Sequence, residues 1–348
     1  MRLYDLKINH LQNPLGFRME RTVFSWKVAD AKGVRQDSAR ILVALDKNME
    51  KILFDSGFDG EMSPLGYQAK ITLQPRTRYY WTVTVRTDAG EEETGQVQWF
   101  ETGKREEAWE GKWITCRDVE LLASDREKGV ETNRRHPYFE KEIIPSGKVE
   151  KARLYICGLG LYEAYYRKGD GSMCRVGQEY LTPYCNDYKE WVQYQTFDVT
   201  ETLQEMGKLY VLLGNGWYKS RFGFASKEDV GFYGDWWKLI AELHITYTDG
   251  REEVIGTDED WNVGRSNITF SNLYDGEWVD ETLEQLPLTK ALFCDAPLGK
   301  LTDRMSLPVR VHDTFLPKQM IHTPAGELVL DMGQEFTGIF ALKIHEPK

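Results

Sequence analysis

Two glycine-rich stretches near the middle of the chain hold the residues best suited to chemistry. LGNGWYKSRFGF carries Trp217, Tyr218 and Phe222, and GFYGDWW carries Tyr233, Asp235, Trp236 and Trp237. Aromatic rings pack against the apolar C–H faces of sugars, while a carboxylate accepts hydrogen bonds from their hydroxyls, so these types together suit a concave carbohydrate contact. Gly214, Gly216, Gly223, Gly231 and Gly234 allow the tight turns such a site needs. The same residues could instead plug the end of a β-sandwich core. Neighbours in a strand face opposite ways, so at most part of the cluster lines one site.

Other chemistries find less support. Glycoside cleavage usually needs two carboxyl groups, roughly 6.5–9.5 Å apart in an inverting enzyme. With 55 acidic residues some pair always meets that spacing, and no catalytic residue is assigned. His10, His136, His244, His312, His322 and His345 are scattered, with neither H-x-H nor HExxH spacing. Thr257-Asp-Glu-Asp260 and Tyr274-Asp-Gly276-Glu read as solvated turns rather than calcium loops. No metal and no cofactor is expected. Gly158-Leu-Gly160 lacks the third glycine and the helix of a nucleotide loop, and reads as a strand kink.

Composition narrows the class. The 348 residues carry a net charge of −11, without the basic stripe of a phosphate-tracking protein, so nucleic acid is not an expected partner. Five cysteines, an odd number without CxxC spacing, read as buried free thiols in a reducing compartment. MRLYDLKINH has no apolar signal core and no 18-residue apolar run occurs, so neither secretion nor membrane insertion is expected and the cytoplasm is the default.

The elements that must position these residues are strands. TRYYWTVTVRT places Tyr79, Trp81, Val83 and Val85 on one face, and KLIAELHITYTDG alternates Leu239, Ala241, Leu243, Ile245 and Tyr247 before an Asp249-Gly250 turn. No window sustains a helical repeat over three turns. KREEAWEGK (104–112) reads as a charged linker or a single helical turn, and Asp125–His136 as a polar surface loop. An all-β protein of tandem antiparallel sandwiches follows.

Several motifs carry a resemblance. Leu73-x-Pro75-x-Thr77-x-Tyr79 is similar to the tyrosine corner of fibronectin type III domains, with Trp26 as a core tryptophan. Gly158-Leu-Gly160-Leu-Tyr162-Glu163, Tyr194-x-Thr196-Phe197-Asp198-Val199-Thr200 and Leu213-Gly214-x-Gly216-Trp217-Tyr218 resemble the front of bacterial family-78 α-L-rhamnosidases. Asp331-x-Gly333-Gln334-Glu335-x-x-Gly338 resembles their next β-domain, with Glu335 where the family usually has Asn. The resemblance implies a fibronectin III-like sandwich over 1–103, a jelly-roll-like sandwich over 104–288 and the start of a further β-domain over 289–348. It also implies a parent enzyme that releases terminal α-L-rhamnose from glycosides by inversion, without a cofactor. Its acids would lie in an (α/α)6 barrel beyond this truncated stretch, which would itself be non-catalytic. A free-standing carbohydrate-binding module and a structural spacer stay open as alternatives.

Overall fold

The computed structural model describes residues 1–116, 135–220, 233–234 and 236–343. It is almost entirely β. Residues Met1–Gly177 with Leu181–Ser306 form one compact unit, and Gln178–Tyr180 with Leu307–Lys348 form another.

The first unit begins with a sandwich of two sheets. Arg2–Ile8, Thr22–Ala29 and Tyr67–Ala69 make one, and a second is ordered Leu15–Phe17, Gln98–Thr102, Arg78–Thr87, Gln36–Ala44, Ile52–Asp55. The alternation read from Arg78–Thr87 decides its orientation: Tyr79, Trp81, Val83 and Val85 are all buried, packed with Trp26, Phe24 and Phe100. The expected corner is present, because the Tyr79 hydroxyl accepts the Gln74 backbone N–H at 2.7 Å. Tyr79→Phe removes that acceptor and leaves a backbone donor unpaired, so it should lower the unfolding free energy by about 1 kcal/mol in urea titration.

A larger sandwich follows. One sheet runs Leu292–Phe293, Ile114–Thr115, Lys238–Tyr247, Val149–Leu159, Trp191–Asp198, Lys300–Asp303, with the last pair parallel. The facing sheet runs Met173–Arg175, Leu161–Lys168, Met206–Gly214, Pro137–Glu142, Asn262–Arg265, Thr289–Lys290. Leu239, Ala241, Leu243, Ile245 and Tyr247 point into the core between them, with Leu154, Val211, Leu213 and Val263. The first of these sheets is buried on its outer face too, where Tyr155, Cys157, Leu159, Val192, Tyr194 and Ile240 form a separate aromatic-rich cluster. Trp109, Trp113 and Cys294, from segments beside the strands, pack against that face, together with Leu301 of the edge strand.

Three local readings change. Residues 125–134 of the expected surface loop lie outside the described residues, and its last two members, Arg135 and His136, are fully buried. The charged stretch 104–112 is not solvated throughout: Lys104 is buried and its carbonyl accepts the Glu107 N–H at 2.9 Å in a single turn, while Glu106, Ala108 and Glu110 are exposed. None of the five cysteines forms a disulfide, but only Cys116 and Cys157 are buried, and Cys185 is exposed.

The second unit contains the hairpin Gln319–His322/Leu328–Asp331. Its apolar residues Met320, Ile321, Leu328, Val329 and Leu330 are all exposed. Among the described residues no helix is long and apolar enough to cross a membrane.

Candidate functional site

The strand Met206–Gly214 ends in a single helical turn, Gly216–Lys219, which carries Trp217 and Tyr218. Glycine makes this turn possible at two points. Gly216 takes a φ of +54°, and a Cβ on Gly160 would lie 1.6 Å from the Asn215 carbonyl oxygen, so the chain can pass there only without a side chain. Consecutive residues on the turn diverge. Tyr218 is buried in the outer-face cluster, whereas Trp217 is half-buried against it.

Tyr188 joins the two stretches singled out in the sequence. Its ring centre lies 5.2 Å from that of Tyr218 and 5.0 Å from that of Tyr233. The backbone N–H groups of Tyr233 and Gly234 both donate to the Tyr218 carbonyl at 3.2 Å. Trp217, Tyr218 and Tyr233 therefore share one surface, with Trp217 and Tyr233 half-exposed. Burial and then the nearby Asp187 carboxylate raise the Tyr233 hydroxyl above its ordinary pKa. Asp187 is exposed beside Tyr233 and was not among the residues singled out in the sequence; the cue was its place in CNDY, directly before Tyr188. A ring pair beside a carboxylate can hold a sugar face and one of its hydroxyls.

Trp237 goes elsewhere. It is fully buried in the core between the two sheets, with the His136 ring 5.4 Å and the Lys219 ammonium 4.4 Å from its ring centre. The His136 Nδ1 meets the Leu213 carbonyl at 3.0 Å and must donate there, and burial, with the charges of Lys219 and Arg265, holds this imidazole neutral at a pKa of about 4. Trp236 is half-buried. Phe222 and Asp235 lie outside the described residues. Among the described residues no group of three or more His, Cys, Asp or Glu is placed to hold a metal ion.

Beneath the aromatic surface lies a buried ionic network that the sequence did not announce. Glu242 is fully buried on the outer-face side of Lys238–Tyr247. Its carboxylate accepts from Lys104 Nζ at 2.5 Å, from His244 Nε2 at 2.8 Å, and from the backbone N–H groups of Gly111 at 2.9 Å and Glu110. Burial works against the charge, but these donors win and hold the carboxyl at about 2 against an ordinary 4.5. A depressed folded-state pKa stabilises above the unfolded value and loses that stability as pH falls. The Glu242 contribution should be complete above pH 4.5 and decline toward pH 2, by at most about 1.4 kcal/mol per pH unit. Urea titrations of the wild type and Glu242→Gln from pH 7 to pH 2.5 check this, because the gap between them should close as pH falls.

A second buried carboxylate ties the two sandwiches together. Glu101, at the end of Gln98–Thr102, is fully buried and accepts from Arg153 through two parallel bonds of 2.8 and 2.9 Å. Arg78 adds a bond of 2.7 Å and Lys151 an ion pair of 3.1 Å. Burial opposes ionisation, yet the three cations keep the Glu101 carboxyl below its ordinary range. Arg153 also meets Asp198 at 2.7 Å.

The family model described as the α-L-rhamnosidase N-terminal domain matches residues 147–325, just over half of the chain. The chain belongs to this family. A second model, described as the Rha78A-like, N-terminal immunoglobulin domain, matches residues 3–106. Matches to α-L-rhamnosidases extend across nearly the whole chain. It is 27% identical over 374 residues to an α-L-rhamnosidase of Formosa agariphila, covering 97% of this chain and 38% of that protein. It is 32% identical over 213 residues to the α-L-rhamnosidase of Streptomyces avermitilis, covering 58% of this chain and 20% of the other. Among solved structures, the α-L-rhamnosidase of Dictyoglumus thermophilum has a TM-score of 0.76 at 30% identity, over 96% of this chain and 39% of that one. The native enzyme of Aspergillus terreus has a TM-score of 0.77 at 25% identity, over 96% and 38%. The chain thus spans less than two-fifths of the length of the curated α-L-rhamnosidases it matches.

Proposed function

We propose that this chain is the non-catalytic N-terminal region of an α-L-rhamnosidase, a glycoside hydrolase that releases terminal α-L-rhamnose with inversion. In this reading residues 1–103 form one sandwich, and the second runs on to Ser306 because Thr289–Lys290, Leu292–Phe293 and Lys300–Asp303 are strands of its sheets. Residues from Leu307 onward open a further β-domain, whose added strands would cover the apolar residues of the 319–331 hairpin. The sandwiches support a separate (α/α)6 catalytic domain. They also contact rhamnose-containing glycosides through Trp217 and Tyr233, with Asp187 beside them. One observation carries the reading: two family matches occur in order along a chain that spans under two-fifths of relatives named α-L-rhamnosidase.

Purified protein offered 4-nitrophenyl α-L-rhamnopyranoside should release no 4-nitrophenol. Calorimetric titration with L-rhamnose should show binding that Trp217→Ala abolishes while the far-UV spectrum is unchanged. Hydrolysis that survives repeated purification would overturn the non-catalytic assignment. A wild type that binds no rhamnose would reduce the sandwiches to a structural spacer.

A further inference from the structure

The outer face that carries Tyr188 and Tyr218 also holds an open pocket of about 510 Å³, a size typical of small-molecule sites. Trp109, Trp113, Phe293, Ile240, Cys294 and Leu301 make its apolar walls, and Gly111 with the exposed Lys112 completes the lining. Ile240 pairs directly opposite Cys157 on the neighbouring strand, and Cys157 belongs to the same cluster as Tyr188 and Tyr218. The pocket and the half-exposed Trp217 and Tyr233 are thus parts of one continuous aromatic face.

The walls are fixed before any ligand arrives. Trp109 meets Tyr194 edge-to-face at 5.2 Å and lies 5.0 Å from the Lys104 ammonium. The backbone behind it is held by Glu242, which takes the Gly111 N–H at 2.9 Å, and by the Lys112 N–H bond of 2.8 Å to the Thr257 carbonyl. Trp113 accepts the Cys294 N–H at 2.9 Å, which sets the opposite wall. Phe293 stays 49% exposed at the mouth. A sugar would find few partners for its hydroxyls in this lining, and each one buried without a bond is a cost. A flat ring system loses nothing there and gains contact with two indoles and a phenyl ring. Preformed walls spare the ordering cost of binding.

We propose that this pocket binds a flat, uncharged aromatic group, of the kind that forms the non-sugar part of an aryl glycoside. The link to glycosides rests on the function proposed above; the pocket chemistry does not. The partly buried Cys294 thiol gives a direct reporter, and exposed Cys185, which is not among the wall residues, serves as the internal control.

The test uses the whole chain with 2-naphthol, alkylation by N-ethylmaleimide, and peptide mass spectrometry. Saturating 2-naphthol should slow alkylation of Cys294 about tenfold and leave Cys185 unchanged. Titration by tryptophan fluorescence should give a dissociation constant on the order of 0.1–1 mM. Cys294→Trp, which fills the pocket, should weaken that binding about tenfold or more, whereas Trp217→Ala should not. Equal alkylation rates with and without 2-naphthol would overturn the proposal, and this measurement needs no variant to fold. Loss of 2-naphthol binding in Trp217→Ala, with Cys294→Trp unaffected, would overturn it as well. A parallel titration with L-rhamnose separates the two readings. Rhamnose binding without Cys294 protection removes the pocket alone, and protection without rhamnose binding removes the sugar contact alone.

Discussion

Glu101→Gln should lower the unfolding free energy by about 3–5 kcal/mol in urea titration at neutral pH. The substitution keeps the shape of the side chain and deletes its charge. Arg153, buried alongside it, then keeps at most one bond, to the remaining amide oxygen, and faces an NH2 donor where the other oxygen accepted, and Lys151 and Arg78 lose their common charged partner. Asp198 remains within 2.7 Å of Arg153 but is itself substantially exposed, so it offsets only part of the loss. The pair should behave as a unit: Glu101→Met with Arg153→Met should cost clearly less than the two single changes added together. A Glu101→Gln protein within about 1 kcal/mol of the wild type would mean that solvent reaches this carboxylate.

Trp237→Ala should cost about 3–5 kcal/mol, and Trp217→Ala about 1 kcal/mol or less. The two lie in stretches that look alike in sequence, yet Trp237 is fully buried between the sheets and Trp217 is half-exposed on the outer face. Removing the indole of Trp237 leaves a cavity beside His136, Lys219 and Arg265, three polar groups that cannot collapse into apolar space without cost. Thermal unfolding of both variants checks the contrast. Equal losses would show that Trp217 is as much a part of the core as Trp237.

The strands were legible because their signal is local. Tyr79, Trp81, Val83 and Val85 alternate against a polar face, and that pattern admits one orientation in a half-buried sheet. The corner at Tyr79 was equally readable, since its hydroxyl reaches backbone only five residues away. The buried charges were not. Alternation along Lys238–Tyr247 leaves Ile240, Glu242 and His244 on a face that reads as wet, and it is the return of residues 104–113 from far along the chain that covers it. The same limit applies to the aromatic cluster. Its composition was visible, but the turn that sends Trp217 outward and Tyr218 inward depends on the passage of Gly160 beside Asn215, a contact between segments that no window of sequence contains.

The shared carboxylate site also constrains how such genes can be rearranged. A recombination event that cut between residues 103 and 104 would carry Glu101 away with one product and leave Arg153 and Lys151 in the other. It would also part Arg18 from the Thr302 hydroxyl and the Arg304 carbonyl that it contacts at 2.7 and 2.8 Å. Each half would then have to fold around a newly bared charge. Grafted onto a different host protein, these two sandwiches should succeed as an inherited pair and fail as separate parts.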